Sequence, residues 1–335
     1  MEYNNGNNHQ NHDRNDRNSV NEQSLQRTFI IGDEWLYYKF YTGPKSTDII
    51  LSHMIKPIVE QLLIDGDIDK WFFIRYADPQ LHTRVRFHFK NPQGLLKVVQ
   101  AVNSSAKSFV EQDLIWKVQI DSYQREIERY GVHSMELAET LFFHDSQMTV
   151  DMLDLIEGDE GERIRWLFGL RAVDTLLEDF HYTIEAKFDL VTNLRESFGR
   201  EFGLNRALKD QLEKKFRVDR TVITDILNHT DDRESEMLPL FQLLDRRSRN
   251  IKPIAEEILK LYGNNKRPDS LKLDDLMSSY SHMMINRIFK SKQRLHELVL
   301  YDFLHRYYKS EIAKQKYATS NENKKKINQE NKKGK

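Results

Sequence analysis

The sequence predicts an α+β fold, with a small, mainly antiparallel sheet in the N-terminal third packed with a predominantly α-helical C-terminal part. Three observations carry that expectation. Short aromatic and β-branched runs, separated by turn signals, crowd the chain up to about residue 121. From Ser134 onward, apolar residues recur at three- and four-residue spacing almost without interruption. Between these, Trp71–Phe89 (WFFIRYADPQLHTRVRFHF) reads as two strands around an Asp78-Pro79 turn signal, and the second strand alternates.

Residues 1–27, rich in Asn, Asp and Arg, have almost nothing to bury. They are expected to be a disordered tail, or failing that a lead-in that orders on a partner. Thr28–Tyr41 (TFIIGDEWLYYKFY) predicts a strand or hairpin broken at Gly32-Asp33, with protein on both faces. Ser46–Ile64 has helical spacing, with Ser46 or Thr47 as N-cap and Pro57 as the source of a kink. After the strand pair come a helix over Pro92–Phe109 and a strand over Leu114–Asp121. Helices follow over Ser134–Leu155, Glu160–Phe180, Ala207–Phe216, Leu238–Tyr262 and Leu271–Tyr308. Residues 28–310 are expected to form one domain without internal repeats. Residues 311–335 form a Lys- and Asn-rich tail, solvated rather than RNA-binding and disordered beyond about 318.

Composition removes several function classes. The 335-residue chain carries a net charge of −1, which does not advertise nucleic acid or a membrane surface. It has no cysteine, so disulfides, thiolate nucleophiles and Cys-based metal sites are excluded. No apolar run approaches the roughly 18–20 residues of a spanning helix, and no secretion signal opens the chain. A soluble, cytoplasmic protein is expected. GxGxxG, Walker-type and GxSxG motifs are missing, and no HxxxH or HxxE spacing accompanies His282. No metal and no cofactor is expected.

Three segments hold candidate chemistry. On the second strand, His82, Arg84, Arg86 and His88 share one face, and Thr83, Val85, Phe87 and Phe89 share the other. The α-carbons of Arg84 and Arg86 would lie roughly 6.5–7 Å apart at about 3.3 Å per residue. The plainer reading is solvated decoration of a strand; a row of four cationic or titratable groups looks instead like a surface for an anion. In Tyr123–Gly131 (YQREIERYG), Arg125 and Arg129 share a face if the segment is helical, or else belong to a surface lattice with Glu126 and Glu128. In Ser279–Phe289 (SYSHMMINRIF), His282 and Asn286 lie beside an apolar helical stripe, with Arg287 one step around. A lone histidine there is more often structural. Several arginines and one histidine nevertheless suit an elimination: arginines hold a carboxylate and developing charge, and the imidazole moves a proton.

Taken together and in order, WLYYKFY, WFFIRYADPQLHTRVRF, YQREIERYG and HMMINRIF make the chain resemble the C-terminal elimination domain of nisin-type (class I) lanthipeptide dehydratases. The same domain family occurs free-standing in split dehydratases and in thiopeptide biosynthesis, and the resemblance covers about residues 28–310. It implies a lyase. A separate enzyme transfers glutamate from glutamyl-tRNA to Ser and Thr of a ribosomal precursor peptide. The elimination domain then expels glutamate, leaving dehydroalanine or dehydrobutyrine. By the same resemblance Arg84, Arg86 and Arg125 would serve the glutamyl carboxylates and transition-state charge, and His282 the proton transfer. Tyr123, Asn286 and Arg287 would line the pocket.

The partners implied are the glutamylated precursor and the tRNA-dependent glutamylating enzyme, whose domain has no counterpart here. No membrane and no direct nucleic-acid role is expected, and the oligomeric state stays open, a homodimer included. Val132 stands where the family commonly has a second glycine after RYG, which bears on the turn and not on Arg125. Two alternatives remain, the first within the same domain family and the second of a different class. One is a thiopeptide pyridine synthase, which joins two dehydroalanines by a formal [4+2] cycloaddition. The other is a non-catalytic subunit that binds the precursor along the edge of the Thr28–Tyr41 strand. Retention of both strand arginines, Arg125 and His282 favours elimination.

Overall fold

The computed structural model describes residues 25–156, 158–203, 205–228 and 237–333. Most of the tail expected over 1–27 lies outside them. The strands are β1 (Thr28–Phe29), β2 (Trp35–Tyr41), β3 (Lys70–Ala77), β4 (Leu81–His88), β5 (Lys117–Asp121) and β6 (Tyr123–Gln124). Between β2 and β3 run α1 (Pro44–Ile50), a π-helical turn (Leu51–Ile55) and α2 (Lys56–Ile64). α3 (Gln93–Glu111) precedes β5, and a short α4 (Ile127–Tyr130) follows β6. The helical part comprises α5 (Met135–Leu153), α6 (Gly158–Asp179), α7 (Ile184–Glu201) and α8 (Arg206–Asn228). It ends with α9 (Leu238–Tyr262), α10 (Leu273–Ile288) and α11 (Gln293–Lys333). The class is α+β, as the sequence pattern requires.

β2, β3, β4 and β5 form one antiparallel sheet in the order β3-β4-β2-β5, while β1 pairs with β6 separately. Thr28–Tyr41 is therefore not a hairpin: its two halves join different sheets. β2 lies inside the larger sheet, with β4 on one edge and β5 on the other, so it has no free edge for a peptide. That removes strand-edge docking along the β2 part of this segment. Its expected burial on both faces holds, with Trp35, Leu36, Tyr37, Tyr38 and Phe40 all buried.

The outer edge of β3 is sealed by side chains. Ser146 of α5 accepts from the Phe73 amide at 3.1 Å. Asn286 of α10 imitates a further strand: its Oδ1 accepts from Arg75 N and its Nδ2 donates to Arg75 O, both at 2.9 Å. The C-terminus of α10 is fixed as well. Arg75 Nε donates to Arg287 O at 3.0 Å, and Arg165 Nη1 to Ile288 O at 2.7 Å. Asp48 bridges the same two guanidiniums at 2.7 Å each. Four helix-terminal carbonyls lack partners in any helix, and cations are their natural ones.

The helices depart from expectation at several points. The helix predicted over Leu271–Tyr308 is two helices, broken at residues 289–292, where Lys292 takes φ 53°. Phe289 fills the break, its ring stacked on His296 at 3.9 Å, above Gly169, where a Cβ would collide with it. α7, where no helix is predicted, starts at Thr183, whose Oγ1 accepts from Ala186 N at 3.3 Å. Its inward Lys187, buried against Asp174 at 2.6 Å, interrupts the apolar stripe by which a helix is read. α11 continues helical to Lys333, past the point where the core-forming pattern gives out.

Candidate active site

The strand alternation places the arginines as expected. On one face of the sheet β4 presents His82, Arg84, Arg86 and His88, flanked by Trp35, Tyr37, Lys39 and Tyr41 of β2 and by Phe72, Ile74 and Tyr76 of β3. The other face carries Thr83, Val85 and Phe87 between Phe40, Tyr38 and Leu36 of β2 and Arg75, Phe73 and Trp71 of β3, all buried.

Arg86 is only 7% exposed, and its guanidinium carbon lies 4.6 Å from the Tyr37 ring, 5.0 Å from Phe72 and 4.7 Å from Tyr123. Its Nε is buried without a hydrogen-bond partner. Among the described residues, six arginines are buried: 75, 86, 125, 165, 247 and 287. Four of these are ion-paired, and Arg287 bonds Ser146 Oγ and Met283 O. Arg86 is held by aromatic faces alone. Arg84, half-buried beside it, lies 3.5 Å above the Tyr76 ring and donates Nε to His82 Nε2 at 3.1 Å. Like Arg86, it has no carboxylate partner among the described residues. Lys39, opposite Arg84 on β2, is paired with Asp121.

Arg125 lies after β6 rather than on a helix with Arg129, because Tyr123–Gln124 pairs with β1. Its Nε and Nη2 grip the two oxygens of Glu139 at 2.8 and 2.7 Å, and Glu139 is fully buried on α5. Tyr123 Oη donates to Glu139 Oε1 at 2.7 Å. Burial, then the Glu139 charge, pushes the Tyr123 phenol well above its ordinary value, so it is a fixed neutral donor. Arg125 thus reaches Arg86 through Glu139 and the Tyr123 ring. The turn after Tyr130 is carried by Gly131 alone, at φ 78°, where a Cβ would run into the Tyr262 hydroxyl. Val132 follows it with no positive φ.

α10 brings the late segment to the same side of the sheet. Met283 joins Phe72, Ile74, Arg86, Tyr123, Phe142 and Glu126, the last ion-paired to Arg129 at 3.3 Å, around a cavity of about 20 Å³, room for one water molecule. His282, one residue earlier, does not line this cavity. Its Nδ1 lies 2.9 Å from Oε1 of Glu297, whose side chain is 1% exposed against 23% for His282. Glu297 also accepts from Arg294 Nη1 at 3.3 Å and Tyr301 Oη at 3.4 Å. Residues 282 and 297 on one straight helix would be roughly 22 Å apart at about 1.5 Å per residue. The break after α10 turns α11 back and makes the pair. Asn286 docks to the edge of β3, and Arg287 is wholly buried below Phe142, its guanidinium lowered by burial to about 10.

Glu139 and Glu297 are the partners of these candidate residues that residue patterns do not announce. Their one signal is an acid set within an apolar helical run, LAETLFF and LHELVL. A larger cavity, about 620 Å³, opens between Phe180–Thr183 and the loop 263–272. It holds none of these residues, and its cations Lys266, Arg267 and Lys272 are exposed. Among the described residues there is no cluster of metal-ligating side chains and no helix long and apolar enough to cross a membrane.

Residues 35–308 match the family model described as lantibiotic biosynthesis dehydratase C-term. The chain belongs to this family. Subtilin biosynthesis protein SpaB of Bacillus subtilis is 26% identical over 274 residues, which is 80% of this chain and 25% of SpaB. The chain therefore spans about a quarter of that relative. Among solved structures, the tRNA-dependent lantibiotic dehydratase MibB from Microbispora sp. 107891 superposes with a TM-score of 0.63 at 18% identity, over 86% of this chain and 29% of MibB. The pyridine synthase TbtD from thiomuracin biosynthesis superposes at 0.55 and 14% identity, over 84% of this chain and 99% of TbtD. These likenesses share the dehydratase C-terminal fold seen here.

Proposed function

We propose that this member of the dehydratase C-terminal family is a lyase that eliminates glutamate from glutamylated Ser or Thr of a ribosomal precursor peptide. A separate enzyme would supply the glutamyl group from glutamyl-tRNA. One observation carries the reading: among the described residues Arg86, 7% exposed and with its Nε sealed from solvent, has no ion-pair partner and no protein hydrogen bond, next to Arg84, whose terminal nitrogens have no protein partner. A buried cation without an anion is costly, by several kcal/mol on the order-of-magnitude scale for ions in protein interiors. A substrate carboxylate would relieve that cost at the site of reaction.

The chemistry follows. The Cα–H bond of the modified residue breaks, its electron pair forms the Cα=Cβ double bond, and the Cβ–O bond breaks to release glutamate as a carboxylate. Arg84 and Arg86 stabilise the charge gathering on that carboxylate. His282 carries the proton, with Glu297 accepting from Nδ1 and so leaving the Nε2 lone pair free. Arg125 acts through Glu139, which fixes the Tyr123 ring over Arg86. Asn286 and Arg287 position α10 against the sheet.

The test is release of free glutamate, with loss of the corresponding mass, from a glutamylated precursor. Arg86→Ala and His282→Ala are each expected to slow release about 10²–10³-fold and leave glutamylated peptide intact. Wild-type rates in both variants would refute the assignment. A second reading, cycloaddition, is favoured by the near-complete coverage of TbtD. Conversion of a peptide bearing two dehydroalanines to a ring, with no glutamate released from a glutamylated one, would select it.

A further inference from the structure

We infer that His82 is a positioning residue, whose neutral ring holds Arg84 by Nε and leaves both terminal guanidinium nitrogens for a substrate carboxylate. The carboxylate part rests on the function proposed above; the contact itself does not. His82 Nδ1 lies 2.8 Å from Gln80 O, and a carbonyl can only accept, so Nδ1 carries the hydrogen. Its Nε2 lies 3.1 Å from Arg84 Nε, which can only donate, so Nε2 must offer its lone pair. Both contacts are satisfied by a single state, the neutral Nδ1–H tautomer. An imidazolium would set one N–H against another.

The surroundings hold that state. The His82 ring sits between Tyr41 of β2, at 4.8 Å, and Tyr76 of β3, at 5.5 Å. Burial lowers its proton affinity; the Gln80 carbonyl opposes this, the Arg84 and Lys39 charges reinforce it, and Asp78 in the turn opposes it. The balance lies below the ordinary histidine value. Tyr76 completes the arrangement by stacking under the guanidinium at 3.5 Å. Arg84 is therefore fixed in plane and in direction, whereas its neighbour Arg86 is fixed by rings only. A planar fork aimed by its Nε is the arrangement that grips a carboxylate bidentately.

His82→Phe keeps the ring between the two tyrosines and loses the acceptor. It is expected to lower kcat/KM for glutamate release about tenfold, chiefly by raising KM, because a mis-aimed fork holds substrate and transition state less well. His82→Gln, whose Oε1 can accept from Arg84, should recover activity to within about threefold of wild type. In an Arg84→Ala background, His82→Phe should change nothing further. A tenfold loss that persists in that background, or no loss in the wild-type background, overturns the role. Independently of turnover, ¹⁵N spectra of labelled histidine should show His82 as the Nδ1–H tautomer, with Arg84→Ala raising its pKa. An Nε2–H tautomer overturns the contact even if the wild type releases no glutamate, a result that would sink only the proposed reaction.

Discussion

Arg86 lies over the Tyr123 ring while Arg125 shares a carboxylate with the hydroxyl of that tyrosine, and the protein treats their charges in opposite ways. Arg125 is matched by a fully buried carboxylate that takes two of its nitrogens and the Tyr123 hydroxyl besides. Arg86 faces the same ring at 4.7 Å with no acid and no hydrogen bond. A guanidinium neutralised within the fold is architecture, since it has little left to offer a ligand. One left bare costs stability and is kept where an incoming anion can neutralise it. The family motifs mark both arginines alike; their surroundings divide them.

The sharpest way to break this comparison is to remove the acid. Glu139→Ala would leave Arg125 buried and unpaired and release the Tyr123 hydroxyl, at an expected cost of about 3–5 kcal/mol in urea unfolding. Pairing it with Arg125→Met should recover most of the loss. An unaltered midpoint in the single variant would mean that Glu139 does not secure this corner.

Arg86→Met tests the other half and has the opposite sign. Removing an unmatched buried charge while keeping the volume is expected to stabilise the protein by about 1–2 kcal/mol, even as glutamate release is lost. A destabilised Arg86→Met protein would place Arg86 with the architecture instead.

How much of this could be read beforehand follows from the range of each interaction. The face shared by Arg84 and Arg86 is a period-two property of six residues, and alternation specifies it outright. The central place of β2 and the separation of β1 from it depend on pairings with residues some ninety positions away, which no local pattern encodes. Glu139 and Glu297 are partners through space. The second exists because the chain breaks at 289–292, with Phe289 resting over Gly169, and nothing in FKSK demands that break. α7 was hidden by its own function in the fold, since a lysine on the inward face erases the stripe that marks a helix.

The smallest effect concerns a third pair of arginines, and it asks whether carboxylate matching or burial governs acid stability. Burial alone would raise the Asp48 carboxyl, but the Arg75 and Arg165 guanidiniums, by charge and then by hydrogen bond, hold it below the usual aspartate value. A carboxyl depressed in the folded state adds stability that is fully present above its unfolded value of about 3.9 and is lost as pH falls through the folded value. The stability gap between wild type and Asp48→Asn should therefore narrow as pH is lowered from about 5 toward 3, measured by urea midpoints. The corresponding difference between wild type and Arg86→Met should stay flat over the same range, because no carboxylate is matched to Arg86. A gap that stays constant for Asp48→Asn would mean that these guanidiniums secure the end of α10 through its carbonyls alone, without help from the aspartate. A slope for Arg86→Met would reveal an acid partner for the arginine that the fold leaves bare.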